Sequence, residues 1–183
     1  IGTTLRIQKI KQKSLQADRA VVDLYEKYFG VRTQFLANDE VQITKIGNDL
    51  PQSITINCIE CPDIAQTLAV TCFGLAIEVH LTGLHTLKIK ETDRLQALKN
   101  ELEKLGGLVD ITNDSLFLHQ RKVKLPLPKA MAIGTYQDHR MALCFAPLVL
   151  KTPLIIQEAE VVSKSYPNFW NDLLTIGVNK VKV

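Results

Sequence analysis

Two kinds of hydrophobic pattern alternate along this chain. "LRIQKI", "EVQIT", "SITINC" and "LFLHQ" alternate apolar with polar residues. That period predicts strands with one face in water. In "KIKETDRLQALKNELEKLGGLVDI", residues Leu95, Leu98, Leu102 and Leu105 fall at helical spacing, and Gly106-Gly107 ends the run. The spacing predicts an amphipathic helix starting near Glu91–Thr92. "PDIAQTLAVTCFGLA" from Pro62 and "DHRMALCFAPLVL" from Asp138 are apolar almost all round. Helices of that kind are buried on every side.

The pattern repeats. "KQKSLQADRAVVDLYEKYFGVRTQF" from Lys11 parallels the stretch from Lys88, at an offset of roughly 75 residues. Each has spaced lysines, Asp-Arg, an amphipathic helix, a glycine and a strand. "VSKSYPNFWNDLLTIGV" is a looser third copy, with a Ser and a Pro at a helix start and Gly177 at its close. The predicted unit is strand, buried helix, strand, amphipathic helix, then a two-strand hairpin. The first copy (1–50) lacks its opening strand and buried helix, the middle one (51–120) is complete, and the last (121–183) stops after its final helix. Arg121–Ala130 is a connector, since Pro126 and Pro128 exclude a central strand. Buried helices with half-wet sheets outside them give an α/β fold of repeated βαβαββ units, unlike doubly wound folds with a central sheet.

Composition narrows the function. The 183 residues are 46% hydrophobic and 22% charged, with 22 basic and 19 acidic side chains and a net charge of +3. A balance that mild argues against nucleic acid or membrane as a partner. No apolar run reaches the length of a membrane span. Cys58 and Cys61 form a C-x-x-C, but no second pair exists to complete a zinc site. The four cysteines read as reduced, buried, small apolar residues, in keeping with a cytoplasmic location.

Chemistry gathers at predicted helix starts. Lys90 and Arg94, Arg140 and Lys164 each stand at such a start. A helix N-terminus carries partial positive charge and disfavours cations. Taken singly, each cation has a local carboxylate to pair with: Glu91 lies near Arg94, and Asp138 near Arg140. Taken as a set, they point to a cleft that grips an anionic ligand. Asp63 opens the first buried helix and can take a proton from a ligand hydroxyl, and Glu91 is a second acid/base candidate. His139 is read as support for Arg140. His80, His85 and His119 carry no partner pattern. Phe169 and Trp170 read as packing residues of the last helix.

Together, "KIKETDRLQAL", "GTYQDHRMALCFAPLVL", "CPDIAQTLAV" and "VVSKSYPNFWNDL" resemble the C-terminal domain of the 5-enolpyruvylshikimate-3-phosphate synthase family. The resemblance covers the whole chain. It implies a domain of repeated βαβαββ units whose buried helices point at a cleft. It implies transfer of the carboxyvinyl group of phosphoenolpyruvate to the 5-hydroxyl of shikimate 3-phosphate, with release of phosphate and without metal or organic cofactor. By motif, Asp63 resembles the aspartate at the shikimate hydroxyls, and Lys90 a shikimate 3-phosphate contact. Glu91 resembles the acid/base glutamate, Arg94 and Arg140 the phosphoenolpyruvate clamp, and Lys164 the lysine at the leaving phosphate. Thr86 stands where the family often has an asparagine contact. The N-terminal domain that completes the family's cleft has no counterpart here. The chain therefore reads as a fragment that is inactive alone, since half a clamp positions no substrate. The rival readings are an enolpyruvyl transferase acting on a UDP-linked amino sugar and a non-catalytic anion-binding module.

Overall fold

The computed structural model describes residues 4–179. They divide into two compact units, one ending at Ile54 and the other beginning at Thr55.

The first unit runs β1 (Thr4–Ile7), α1 (Val21–Phe29), β2 (Val31–Phe35) and β3 (Val41–Lys45). Its antiparallel sheet has the order β1-β3-β2. Helix α1 lies against β2, with Phe29 buried. Gly30 turns the chain between them at φ +61°, a left-handed value suited to glycine. A Cβ there would stand 2.9 Å from the Gly47 carbonyl oxygen. Strand β1 ends at Ile7, short of the predicted "LRIQKI", and Lys9 bends the chain at φ +65°.

Strand β4 (Ser53–Asn57) leads into the second unit. A 3-10 turn (Pro62–Ile64) leads into α2 (Ala65–Leu75), followed by β5 (Glu78–Thr82), α3 (Arg94–Lys104), β6 (Val109–Ile111) and β7 (Leu116–Leu118). The sheet order is β4-β5-β7-β6. Its last three strands repeat the order of the first unit's sheet, with the second hairpin strand in the middle in both. Alternation does what the sequence predicts. Val79, Leu81, Val109, Leu116 and Leu118 point inward and are buried. On the other face His80, Phe117 and His119 stack edge to face, and His119 bonds Asp110 at 2.8 Å. Helix α2 sits in the centre, packed by β5, α3 and a fourth helix. Leu68, Ala69, Cys72 and Phe73 are fully buried within it. Full burial of a side chain the size of Leu68 or Phe73 contributes about 1.5–3 kcal/mol.

The remaining elements are β8 (Met131–Ile133), α4 (His139–Phe145), β9 (Leu154–Ile156) and α5 (Phe169–Thr175). Strands β8 and β9 pair in parallel, and α4 packs on α2. The run from Asp138 is not one continuous helix. It passes into a 3-10 helix at Ala146–Leu150. Pro147 is the cause, since it has no N–H to donate to the carbonyl four residues back. Trp170 packs as predicted and donates its indole N–H to the Ala159 carbonyl at 2.8 Å.

All four cysteines are buried thiols outside any disulfide. Burial, together with the neighbouring Cys61, pushes the Cys58 thiol up to about 12. Burial alone does the same for Cys72, and the Cys144 thiol is pushed higher still. At pH 8 a thiol of that kind is ionised to about one part in ten thousand. Iodoacetamide at pH 8 is thus expected to spare Cys58, Cys72 and Cys144 in the native chain and to label them on unfolding, as read by mass spectrometry. The folded chain holds these protons above the ordinary value of 9.0. Their contribution to stability is therefore complete below about 9 and is lost as pH rises toward 12.

Candidate functional site

Three helix starts in the second unit meet at one ion cluster. The first is the Pro62–Ile64 turn ahead of α2, which carries Asp63. The second is α3. It starts at Arg94, later than the predicted Glu91–Thr92. Lys90 has an extended backbone, and Asp93 caps the helix by accepting the Gln96 N–H at 3.1 Å. Glu91 consequently lies in the loop before the helix. The third is α4, where Asp138 caps by accepting the Arg140 N–H at 2.8 Å.

Arg94 is the centre of the cluster. Its side chain is 2% exposed. Nε donates to Asp138 Oδ2 at 2.6 Å, and one terminal nitrogen donates to Asp63 Oδ1 at 2.9 Å. The other donates to Glu91 Oε2 at 2.7 Å and to Asp138 Oδ1 at 3.3 Å. Asp63 gathers two more cations. Lys90 Nζ lies 3.2 Å from Oδ1, and Arg140 lies 3.5 Å from Oδ2. Arg140 also donates to the Asp63 main-chain carbonyl at 3.1 Å.

Lys90, Arg94 and Arg140 are balanced by Asp63, Glu91 and Asp138. Arg94 pairs with Glu91 as its spacing suggests. Asp138 pairs with Arg94, while its bond to Arg140 is to the backbone. The side chain of Arg94 is hidden. Those of Lys90 (33% exposed), Arg140 (28%), Asp63 (27%) and Glu91 (45%) reach solvent. An anion arriving from solvent meets Lys90 and Arg140 first and competes with the Asp63 carboxylate for both. Glu91 is open enough to exchange a proton with a bound molecule.

Lys164 is placed differently from its prediction. It lies in the last turn of a 3-10 helix (Ala159–Lys164), five residues before α5 begins. A cation at a helix end agrees with the dipole, so Lys164 poses no electrostatic puzzle. It is exposed and enters none of the cluster's ion pairs, although its 3-10 helix packs on α4. Thr86 lies in a 3-10 turn (His85–Ile89) against the Pro62–Ile64 turn. Its hydroxyl oxygen is buried and has no hydrogen-bond partner among the described residues. Sequence reasoning placed Asp138 only as a neighbour of Arg140. It is the completely buried carboxylate that joins α3 to α4, and its position just before a buried helix was the available signal.

Glu91, Asp138 and His139 bring ligand atoms within 4.8 Å of one another. The group does not suit a metal, because the guanidinium of Arg94 already occupies the cation position on Asp138 and Glu91. His139 Nδ1 lies 3.8 Å from Asp138, beside Arg140 as expected.

Residues 1–173 match the EPSP synthase (3-phosphoshikimate 1-carboxyvinyltransferase) family. The chain belongs to this family. A 3-phosphoshikimate 1-carboxyvinyltransferase from Bacteroides fragilis is 39% identical over 165 residues, which is 90% of this chain and 39% of the relative. One from Clostridium novyi is 32% identical over 179 residues, 97% of this chain and 39% of the relative. The chain thus spans about two fifths of the length of the curated relatives it matches. Among solved structures, EPSP synthase from Acinetobacter baumannii superposes with a TM-score of 0.73 at 20% identity, over 97% of this chain and 42% of that one. The enolpyruvyl transferase NikO from Streptomyces tendae gives 0.66 at 19% identity, over 96% and 39%. These likenesses bear out the α/β fold read from the sequence, as part of the family's larger architecture.

Proposed function

We propose that this chain supplies part of the active site of a 3-phosphoshikimate 1-carboxyvinyltransferase. The observation that carries the proposal is the convergence of Lys90, Arg94 and Arg140 on Asp63 in a chain of this family. The reaction joins phosphoenolpyruvate to the 5-hydroxyl of shikimate 3-phosphate. The hydroxyl oxygen attacks C2 while the methylene carbon gains a proton. Phosphate then leaves as the methyl group gives a proton back. Two phosphates and two carboxylates crowd together in such a site, and cations must offset their repulsion.

In this reading Arg140 and Arg94 hold phosphoenolpyruvate. Lys90 and Thr86 contact shikimate 3-phosphate, and Asp63 accepts its hydroxyl proton. Glu91 serves the methylene carbon, and Lys164 stabilises the leaving phosphate. A complementary portion, such as the longer relatives carry, completes the clamp, and the chain alone turns over no substrate. We place the chemistry in the cytoplasm, where four buried thiols stay reduced.

The test is a coupled phosphate-release assay on the chain joined to the complementary portion of the Bacteroides fragilis relative. Release is expected with phosphoenolpyruvate plus shikimate 3-phosphate, and none with a UDP-linked amino sugar as acceptor. Release with the sugar alone would move the substrate assignment. A folded joined protein without turnover would reduce the cluster to an anion-binding site.

A further inference from the structure

Helix α3 is tied to the start of α4 twice. The first tie is the Arg94–Asp138 pair. The second lies two turns farther along α3, at Glu101, a carboxylate with no exposure to solvent. Its Oε1 accepts the Tyr136 hydroxyl at 2.6 Å, and its Oε2 accepts the Gly134 N–H at 3.1 Å. Lys104 donates to both oxygens at 2.7 and 2.9 Å and neutralises them. Asn100 adds a 3.4 Å bond to the Tyr136 oxygen.

The segment held in this way is strained. Tyr136 and Gln137 both have left-handed backbones, at φ 54° and 57°, and neither is glycine. Such conformations persist only where the surroundings impose them. The turn closes with the Asp138 N–H donating to the Thr135 carbonyl at 2.9 Å. The next side chain is that of Asp138, which orients the Arg94 guanidinium and caps Arg140. A shift of the turn is therefore passed directly to both arginines.

We infer that Glu101 and Tyr136 form a latch that positions Asp138, and through it Arg94 and Arg140. Neither latch residue enters the ion cluster itself. The geometric part of this inference stands alone, while its consequence for phosphoenolpyruvate rests on the function proposed above.

Tyr136→Phe tests the latch, because it removes one hydroxyl and keeps the ring. The first readout is hydrogen exchange at the Arg94 Nε–H in the chain itself, by nitrogen-15 NMR. Exchange is expected to speed up about tenfold, the effect of losing one hydrogen bond to a carboxylate. It should exceed the change in global unfolding measured on the same sample. Glu101→Gln keeps one oxygen for Tyr136 and should restore part of the protection lost in Glu101→Ala. Exchange that only follows global stability would overturn the latch. The second readout uses the joined enzyme. There Tyr136→Phe should raise KM for phosphoenolpyruvate about tenfold and leave KM for shikimate 3-phosphate unchanged. Equal changes in both would overturn the link to Arg140. If the unaltered joined enzyme shows no turnover, the proposed function fails, and the exchange measurement still decides the latch.

Discussion

Arg94→Met is expected to lower the unfolding free energy of the second unit by about 3–5 kcal/mol, the cost of breaking a buried ion pair from one side. Methionine fills much of the same volume, so the loss reports charge more than a cavity. Asp138 is the reason for the size. Its carboxylate is fully buried, and Arg94 supplies bonds of 2.6 and 3.3 Å to its two oxygens. Without them, the partners left to the carboxylate among the described residues are the Arg140 N–H and the loosely placed His139. Asp63 and Glu91 lose a partner too, but both reach water. Arg140→Met is the control. Its side chain is partly exposed and lies 3.5 Å from Asp63, so about 1 kcal/mol or less is expected. Trp170 is the only tryptophan and lies in the second unit, so its fluorescence during urea unfolding reads the right transition. Equal effects from the two substitutions would mean that Arg94 is not the anchor its burial implies.

The second large effect concerns chemistry. In the joined enzyme, Glu91→Gln is expected to lower kcat by about 10²–10⁴, the usual contribution of a placed acid/base. The substitution keeps an oxygen to accept from Arg94 at 2.7 Å, so the cluster should stay assembled. Lys164→Ala is expected to lower kcat by about 10²–10³ through lost stabilisation of the leaving phosphate. Lys164 is exposed and stands outside the cluster, so the loss should come without a change in the urea midpoint. Single-turnover phosphate release measures both. Wild-type release in Glu91→Gln would remove that residue from the proton transfers.

The helical stripe Leu95–Leu105, the strand alternation and the all-round apolar helix of Ala65–Leu75 were legible because each is local. A side chain's period along its own element already states which face is buried. The middle unit's order of elements followed from those periods and the turn signals between them. The helix break at Pro147 was also in the sequence, and the apolar run around it concealed it.

The ion cluster was legible in part as a set of residues, without Asp138 as a member and with Lys164 counted in, and not at all as a network. Asp138 lies 44 residues from Arg94 and Asp63 lies 31 away, so their bonds exist only where α2, α3 and α4 bring their starts together. Local spacing offered Glu91 as a partner for Arg94, and that pair is present. The other two claims on Arg94, from Asp138 and Asp63, come from elsewhere in the chain. The same holds for Glu101, whose spacing marks it as a helix residue and nothing more until Gly134 and Tyr136 arrive beside it. Periodicity and caps act within one element and are set by sequence alone. Which charges lose their water, and which partners then replace it, depends on how the elements pack, and that was decided by the tertiary structure.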